Sequence, residues 1–179
     1  MRNGQWEKKA YGKGIELCGK TLGIVGFGRI GQKLGVMSKA IGMNVIAFDI
    51  FHIPGIEEQL GIPYVEMDEL LAKADFISVH APAVDGGALI NAERIAKMKD
   101  GVVIINTSRG TNVDEAALLA GLESGKVRAA GLDVYADEPA TNKALYSHPM
   151  VSCTPHIGAA TVEAQKRIGA EIVDIISKM

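Results

Sequence analysis

Residues 20–49 read KTLGIVGFGRIGQKLGVMSKAIGMNVIAFD, and this stretch decides the fold. Residues 21–25 are a short run rich in β-branched side chains, which predicts a strand buried on both faces. The run leads directly into the pattern G-x-G-x-x-G at residues 26–31. Apolar side chains then recur at helical spacing as far as Ile41, and residues 44–48 are a second apolar run. This order of strand, glycine turn, helix and strand predicts a βαβ unit that binds a dinucleotide.

Each glycine of the motif meets a separate physical demand. Gly26 permits the tight turn, Gly28 lets a pyrophosphate approach the backbone without meeting a Cβ atom, and Gly31 lets helix and strand pack closely. The free N–H groups of the first helical turn and the positive end of the helix dipole then face the phosphates. We therefore expect the phosphates of the ligand at this turn.

The acid at the end of the second predicted strand selects between two cofactors. The carboxylate of Asp49 can accept hydrogen bonds from an adenosine ribose. The same carboxylate would repel a 2′-phosphate, and residues 50–52 include no arginine or lysine to attract one. NAD is therefore favoured over NADP.

Composition limits the other classes of function. A chain of 179 residues suits one domain with a full core, and 47% apolar and 22% charged residues are typical of a globular protein. The net charge of −2 gives no electrostatic basis for binding nucleic acid or an anionic membrane. Without an apolar span or signal peptide we expect a cytoplasmic location. Cys18 and Cys153 lack metal-ligand spacing, so we expect reduced thiols and no metal site.

Beyond residue 49, apolar strands alternate with helical patterns. Further strands are predicted at 76–79, 102–106, 127–132 and 150–153. Helices are predicted at 67–74, 91–98, 114–123 and 161–178, the last of them amphipathic. Strands and helices that alternate at this spacing predict a Rossmann-like α/β fold, with a doubly wound, mostly parallel sheet and helices on both faces.

Polar residues follow most of these strands directly. In an open parallel sheet, ligands bind beyond the carboxyl ends of the strands, so residues at these ends should converge on one cleft. The residues concerned are Gly28 to Gly31, Asp49, His80, Arg109, Asp133 with Glu138, and His156. An arginine, a carboxylate and a histidine beside a nicotinamide predict hydride transfer at a 2-hydroxy acid.

Three of these residues have roles that follow from their chemistry. Arg109 would hold the substrate carboxylate and polarise the carbonyl oxygen, because its planar guanidinium matches such groups and never loses its charge. His156 would take the hydroxyl proton and return it in the reverse direction. Glu138, bonded to the other ring nitrogen, would fix the tautomer and stabilise the imidazolium.

The residues alone leave alternatives open. Arg109 is also consistent with an anchor for its loop, Glu138 with a solvated acid, and His156 with a hydrogen-bonded structural histidine. His80, also at a strand end, competes with His156 for the role of base. For the whole domain, the alternatives are a non-catalytic module that senses NAD and a dimerisation element that uses residues 113–119 and 138–145.

Four ordered segments carry a resemblance to a known family. They are GFGRIG at 26–31, NTSRG at 106–110 with VDE at 113–115, GLDVY at 131–135 with EP at 138–139, and PHIGAAT at 155–161. Together they resemble the D-isomer-specific 2-hydroxyacid dehydrogenases over residues 4–178. The chain is most similar to the members that oxidise 3-phosphoglycerate in serine biosynthesis, with D-lactate, glyoxylate and hydroxypyruvate as alternative substrates.

The resemblance implies a set of site residues. The catalytic residues would be Arg109, Glu138 and His156. The residues in contact with NAD would be Gly26, Gly28, Arg29, Ile30, Gly31, Asp49, Ala81, Pro82, Thr107, Ser108, Arg109, Asp133, His156, Gly158 and Ala159. In this scheme Arg29 and Ile30 face the pyrophosphate, and Asp133 lies near the carboxamide.

The resemblance also implies a second, substrate-binding domain built from residues on either side of this sequence. We therefore expect residues 1–19 to be a linking arm, residues 20–160 to be the NAD-binding domain, and residues 161–179 to be a helix that returns to the substrate domain. The chain alone would bind NAD but turn over poorly. We expect a homodimer or higher homo-oligomer formed through the NAD-binding domain.

Overall fold

The computed structural model describes residues 4, 6, 8–12 and 14–178, apart from the side chains of residues 10 and 11. Within this part of the chain, six strands form one sheet in which every paired strand is parallel. The strands are β1 Thr21–Val25, β2 Asn44–Phe48, β3 Phe76–Val79, β4 Val102–Asn106, β5 Val127–Leu132 and β6 Val151–Cys153. The helices are α1 Lys8–Tyr11, α2 Arg29–Ala40, α3 Ile56–Leu60, α4 Met67–Lys73, α5 Ala92–Lys97, α6 Glu115–Ser124, α7 Lys143–Tyr146 and α8 Val162–Ser177.

The strand order β2-β1-β3-β4-β5-β6 reverses direction at β1, which pairs with both β2 and β3. A ligand crevice lies at such a reversal, beyond the carboxyl ends of the strands. The register sets Val25 of β1 opposite Phe48 of β2 and Val79 of β3. The residues that follow these three therefore lie side by side at the crevice. They are Gly26, Asp49 and His80.

The core consists of two clusters, one on each face of the sheet. Ile24 packs in a cluster with Phe27 and with Leu34 of α2. Its neighbour Val25 packs in the other cluster, with Leu70 of α4 and Leu118 of α6. Successive side chains of a strand point to opposite faces, so β1 is buried on both sides, as its sequence predicts. The predicted Rossmann-like α/β fold is confirmed.

The elements differ from the prediction mainly at their ends and in short turns. Asp114 caps α6 as predicted, by accepting hydrogen bonds from the N–H groups of Ala116 and Ala117. The prediction omits α1, α7 and a 3₁₀ turn at Gly110–Asn112. These pieces have three or four residues each, too few to display a helical period.

The last helix, α8, is amphipathic as predicted, and Thr161 caps it by accepting a hydrogen bond from the N–H of Ala164. None of its residues is buried in the part of the chain that the structure describes. The exposed fractions of its large apolar side chains lie between 46% and 67%; they belong to Val162, Ile168, Ile172, Val173, Ile175 and Ile176. No described helix combines the length and the apolar content needed to cross a bilayer.

Candidate active site

The glycine turn after β1 is closed on one side and open on the other. Gly26 adopts a φ of +94°, and a Cβ atom there would collide with the backbone nitrogen of Ala81. A Cβ atom on Gly31 would collide with the carbonyl oxygen of Gly26. A Cβ atom on Gly28 would meet nothing within 4 Å. The turn therefore presents open backbone at Gly28, where a pyrophosphate requires it.

The first turn of α2 faces the same opening. Its first intrahelical hydrogen bond runs from Gln32 N–H to the carbonyl oxygen of Gly28, at 2.9 Å. The helix itself supplies no acceptors for the N–H groups of residues 29–31, which lie at the positive end of the helix dipole. The side chains of Arg29 and Ile30 are exposed beside them. These groups fit an anionic ligand.

Asp49 is held next to the glycine turn by two backbone groups. Its Oδ2 accepts a hydrogen bond of 2.7 Å from the N–H of Phe27, and its Oδ1 accepts one of 3.0 Å from the N–H of Phe51. Each oxygen keeps a free lone pair for the hydroxyls of a ribose. The neighbouring Ile50 is 93% exposed. This end of the crevice therefore offers an oriented carboxylate and apolar surface.

His80 is partly buried, and its ring is engaged by a neighbouring side chain. The backbone N–H of His80 donates to the carbonyl oxygen of Val25 at 2.7 Å. The ring nitrogen Nε2 lies 2.8 Å from the hydroxyl of the buried Ser78. Burial lowers the pKa of His80, because the charged ring would lose hydration. A neutral ring engaged by Ser78 is a weaker candidate for the base than His156.

A buried asparagine that the sequence prediction missed ties two loops of the crevice together. The Nδ2 of Asn112 donates to the carbonyl oxygens of Ala81 at 2.8 Å and Pro82 at 3.1 Å, and to the hydroxyl of Ser108 at 3.1 Å. Its Oδ1 has no hydrogen-bond partner in the described part of the chain. In the sequence, Asn112 is simply an asparagine between Arg109 and the cap of α6. Its role could not be predicted there, because its partners Ala81 and Pro82 lie in a distant loop.

The loop that carries Arg109 is shaped by the side chain of Asn106. Its Nδ2 donates to the carbonyl oxygen of Arg109 at 2.9 Å, and its Oδ1 accepts from the N–H and hydroxyl of Ser108. The guanidinium of Arg109 is exposed, and its Nη1 donates to the carbonyl oxygen of Ser108 at 2.7 Å. Thr107 is also exposed. The backbone of the loop is fixed, while the Arg109 side chain ends in solvent.

Gly110 brings this loop against the segment that contains Glu138. A Cβ atom on Gly110 would collide with the carbonyl group of Tyr135, so the two backbones are in close approach. The N–H of Tyr135 in turn donates to Oε1 of Glu138 at 3.2 Å. Arg109 and Glu138 therefore sit on adjacent loops.

Glu138 and His156 form the one direct side-chain pair among the predicted catalytic residues. Nδ1 of His156 lies 2.7 Å from Oε2 of Glu138. The hydrogen bonds from His156 and from the N–H of Tyr135 lower the pKa of Glu138, so its carboxylate is ionised at neutral pH. An ionised carboxylate only accepts, so Nδ1 carries the hydrogen, and in the neutral form of the ring Nε2 is then left with a lone pair. This is the arrangement that a general base requires.

Asp133 lies directly behind the histidine. It is only 5% exposed, and it accepts hydrogen bonds from the hydroxyl of Thr154 and the N–H groups of Ile157 and Gly158. Burial raises the pKa of Asp133, but these hydrogen bonds and the nearby ring of His156 outweigh burial and lower it. Asp133 is therefore a buried negative charge beside the predicted base.

A cavity of about 470 Å³ opens next to the Glu138–His156 pair. Its remaining lining is mainly apolar, with Tyr135, Pro139, Ala140, Tyr146, Cys153, Thr154 and Pro155. Cys153 and Cys18 are free and exposed. Among the described residues no three His, Cys, Asp or Glu side chains form a group that could hold a metal ion.

The predicted site residues thus fall into two groups at the crevice. Gly26, Gly28, Gly31, Asp49 and Ala81 surround the glycine turn. Asp133, Glu138 and His156 are linked by hydrogen bonds, and Gly110 connects the Arg109 loop to them. Ala159 is exposed beyond His156. Contacts of these residues with cofactor and substrate stay a prediction.

Comparison with known proteins identifies the family. Residues 1–158 match the family described as D-isomer specific 2-hydroxyacid dehydrogenase, NAD binding domain. The chain is 50% identical to a hydroxypyruvate reductase of Thermotoga maritima over 183 aligned residues, which cover 99% of this chain and 58% of that protein. It is 47% identical to a D-3-phosphoglycerate dehydrogenase of Mycobacterium leprae, with 96% of this chain and 32% of that protein covered.

A solved structure agrees with these matches. The D-lactate dehydrogenase of Aquifex aeolicus complexed with NAD and lactic acid is 34% identical and superposes with a TM-score of 0.84, covering 98% of this chain and 57% of that one. The chain therefore spans from 32% to 58% of the length of these relatives. It belongs to the D-isomer-specific 2-hydroxyacid dehydrogenases, and it corresponds to their NAD-binding domain.

Proposed function

We propose that this chain binds NAD at the glycine turn and that, in the whole protein, Arg109, Glu138 and His156 catalyse hydride transfer between NAD and a D-2-hydroxy acid. The observation that carries the proposal is the 2.7 Å hydrogen bond between Glu138 and His156, at the carboxyl ends of the strands. A solvated loop acid and an unrelated loop histidine would not be expected to pair at the strand ends. The pairing through Nδ1 leaves Nε2 available for a proton of the substrate.

The residues around the turn fit NAD. The open backbone at Gly28 and the N–H groups of residues 29–31 receive the pyrophosphate. Asp49 accepts from the ribose hydroxyls, and its charge excludes the 2′-phosphate of NADP. Residues of the neighbouring loops, among them Ala81, Pro82, Thr107 and Ser108, line the path toward the nicotinamide. When bound, NAD supplies the acceptor for the hydride.

His156 acts as the general base. The ionised Glu138 accepts the hydrogen on Nδ1, which leaves the Nε2 lone pair to receive the hydroxyl proton of the substrate. The imidazolium that forms lies beside two carboxylates, Glu138 and Asp133, and both stabilise its charge. In the direction of reduction, the same nitrogen returns the proton.

Arg109 binds the substrate carboxylate. In this structure its guanidinium donates to a neutral acceptor, the carbonyl oxygen of Ser108. A carboxylate is a stronger acceptor and can receive two parallel hydrogen bonds from the guanidinium. When substrate binds, the guanidinium gives up its hydrogen bond to Ser108 and donates to the substrate carboxylate. Asn106 meanwhile keeps the backbone of Arg109 in place.

The substrate that we propose is 3-phosphoglycerate, in the first reaction of serine biosynthesis. The relative from Mycobacterium leprae, a D-3-phosphoglycerate dehydrogenase, supports this choice. The relative from Thermotoga maritima, a hydroxypyruvate reductase, supports the alternative of a smaller substrate such as hydroxypyruvate, glyoxylate or D-lactate. Initial rates of the whole protein with each of these compounds distinguish the two choices. A kcat/KM highest for an unphosphorylated acid would contradict the first.

We also propose the arrangement of the whole protein. Residues 1–19 would serve as an arm and residues 161–179 as a helix, and both would lead from the NAD-binding domain, residues 20–160, to a substrate-binding domain. Residues 1–3, 5, 7, 13 and 179 lie outside the part of the chain that the structure describes. The exposed apolar stripe of α8 supports a partner surface for that helix. We propose further that the protein is a cytoplasmic homodimer or higher homo-oligomer joined through this domain. Light scattering measures the oligomeric state.

Cofactor binding is tested on this chain directly. Thermal unfolding is followed at increasing concentrations of NAD and of NADP. A ligand that binds only the folded state raises stability by RT ln(1 + [L]/Kd), so NAD should raise the Tm at concentrations where NADP does not. The variant Asp49→Ala should reduce this difference, because the repulsion of the 2′-phosphate is gone. A greater effect of NADP on the native chain would contradict the proposal.

A further inference from the structure

His156 has an unusual backbone conformation. It is the one non-glycine residue with a positive φ, +54°, in the part of the chain that the structure describes. L-residues rarely occupy this region, and they stay there only when their surroundings impose it. All residues of the segment 154–158 are exposed, so apolar packing does not impose it. The conformation requires a polar restraint.

Asp133 supplies that restraint from below. Its Oδ1 accepts a hydrogen bond of 2.9 Å from Ile157 N–H and another from the hydroxyl of Thr154. Its Oδ2 accepts a bond of 2.8 Å from Gly158 N–H. One donor, Thr154, precedes His156 in the chain, and the other two, Ile157 and Gly158, follow it. A single carboxylate therefore binds the turn on both sides of the histidine.

The close fit and the charge of Asp133 both suit this task. A Cβ atom on Gly158 would lie 3.0 Å from Oδ2, so a side chain there would crowd the carboxylate. Three donors keep the buried acid ionised, and hydrogen bonds to an ionised acceptor are about twice as strong as neutral ones. Glu138 separately holds the ring of His156. Backbone and ring of the histidine are thus fixed by two different acids.

We propose that Asp133 is a positioning residue for His156, whose carboxylate holds residues 154–158 in the turn that directs imidazole Nδ1 at Glu138. This role is separate from its predicted place near the carboxamide of NAD. Of roughly four lone-pair positions on a carboxylate, three are already occupied by donors from the chain. The inference rests on the proposed function only in taking His156 as the base.

The test uses Asp133→Asn in this chain, without NAD. An asparagine of the same shape turns an amide toward one of the three donors and carries no charge. We expect hydrogen exchange at the amides of Ile157 and Gly158 to become at least about tenfold faster, as loss of a hydrogen bond to a charged group implies. The ¹⁵N spectrum of His156 should change from the single Nδ1–H tautomer to a mixture with Nε2–H. A general loss of folding stability would not change the ratio of the two tautomers in the folded chain.

Asp137→Asn is the matched control. Asp137 is an exposed acid in the same loop, with its Oδ2 accepting from the hydroxyl of Thr141, and its substitution should leave both signals unchanged. If Asp133→Asn does not fold, Thr154→Val removes one donor and keeps the charge, and exchange at Ile157 and Gly158 should still rise several-fold. An unchanged His156 tautomer in Asp133→Asn, or unchanged exchange at Ile157 and Gly158 in either variant, would overturn the proposal.

These measurements need neither substrate nor cofactor. If the whole protein oxidised no 2-hydroxy acid, the proposed function would fail while the restraint on residues 154–158 could still be observed. Conversely, if the whole protein were active but the His156 tautomer did not change in Asp133→Asn, the proposed function would stand and this inference would be wrong.

Discussion

The two ends of the crevice are built in different ways. At the proposed cofactor end, residues 26–31, backbone atoms in close approach fix the glycine turn, because side chains at Gly26 or Gly31 would collide with neighbouring backbone. At the proposed catalytic end, the exposed turn around His156 is held by two carboxylates, Glu138 and Asp133, which lie 18 to 25 residues from their partners in that turn. One end depends on steric fit and the other on charge.

This difference determines what substitutions do. Loss of steric fit at the proposed cofactor end should act on the stability of the whole domain, because the turn joins β1, an interior strand of the sheet, to α2. Loss of charge or of the imidazole at the proposed catalytic end should act on turnover more than on stability, because residues 154–158 are exposed and contribute little apolar burial. Substitutions at each end therefore test whether the comparison is correct.

The largest effect is expected for His156→Asn in the whole protein. Removal of a general base lowers kcat by a factor of about 10² to 10⁴, and the affinity for NAD should change little. Steady-state rates measure kcat, and displacement of fluorescent NADH by NAD measures the affinity for NAD. His148→Asn, the same substitution in a loop outside the site, serves as control. Undiminished turnover of His156→Asn would remove His156 from its assigned role.

The next effect is expected for Gly26→Ala. A left-handed φ and a collision with the backbone of Ala81 together should lower the free energy of unfolding by about 2–5 kcal/mol. Urea denaturation followed by circular dichroism measures this change. A variant with native stability would mean that the loop after β3 does not close over the turn.

Gly28→Ala should separate ligand binding from stability at the same turn. A Cβ atom there meets no protein atom within 4 Å, so we expect the free energy of unfolding to change by less than about 1 kcal/mol. The methyl group occupies space intended for the pyrophosphate, and the affinity for NAD should fall at least about tenfold, or roughly 1.4 kcal/mol. Calorimetric titration with NAD gives the affinity. Equal affinities for Gly28→Ala and the native chain would place the phosphates elsewhere.

The same contrast explains which features the sequence could predict. The βαβ unit was predictable because its strand, glycine turn, helix and Asp49 are contiguous, and each has a local signature. The positions of Arg109, Glu138 and His156 at strand ends followed from the general topology of parallel sheets. The fold and the crevice were therefore accessible from pattern alone.

Features that depend on distant partners were not accessible. Asn112 is a plain asparagine in the sequence, and its role in tying Ala81 and Pro82 to Ser108 appears only when a partner about 30 residues away is in place. Asp133 was predicted only as a cofactor contact, because nothing local indicates that its donors come from residues 154–158. Hydrogen bonds between side chains and distant loops produce no periodic pattern in the sequence, so they cannot be predicted from it.

The smallest effect concerns His80 and pH. Burial lowers its folded-state pKa below the ordinary value of 6.5, so the unfolded chain binds the proton first as the pH falls. Stability from the neutral ring is complete above pH 6.5 and declines as the pH falls below it. In His80→Gln, the loss of Tm between about pH 7.5 and about pH 5 should be smaller than in the native chain. An equal or steeper loss would contradict a partly buried, neutral His80.

The central claim is that the two ends of the crevice serve one reaction. The most direct measurement supplies the whole protein with NADH that carries deuterium at the transferable position of the nicotinamide, together with a 2-keto acid. The account predicts deuterium on C2 of the product and the D-configuration at that carbon. A product without deuterium at C2, or with the L-configuration, would contradict it.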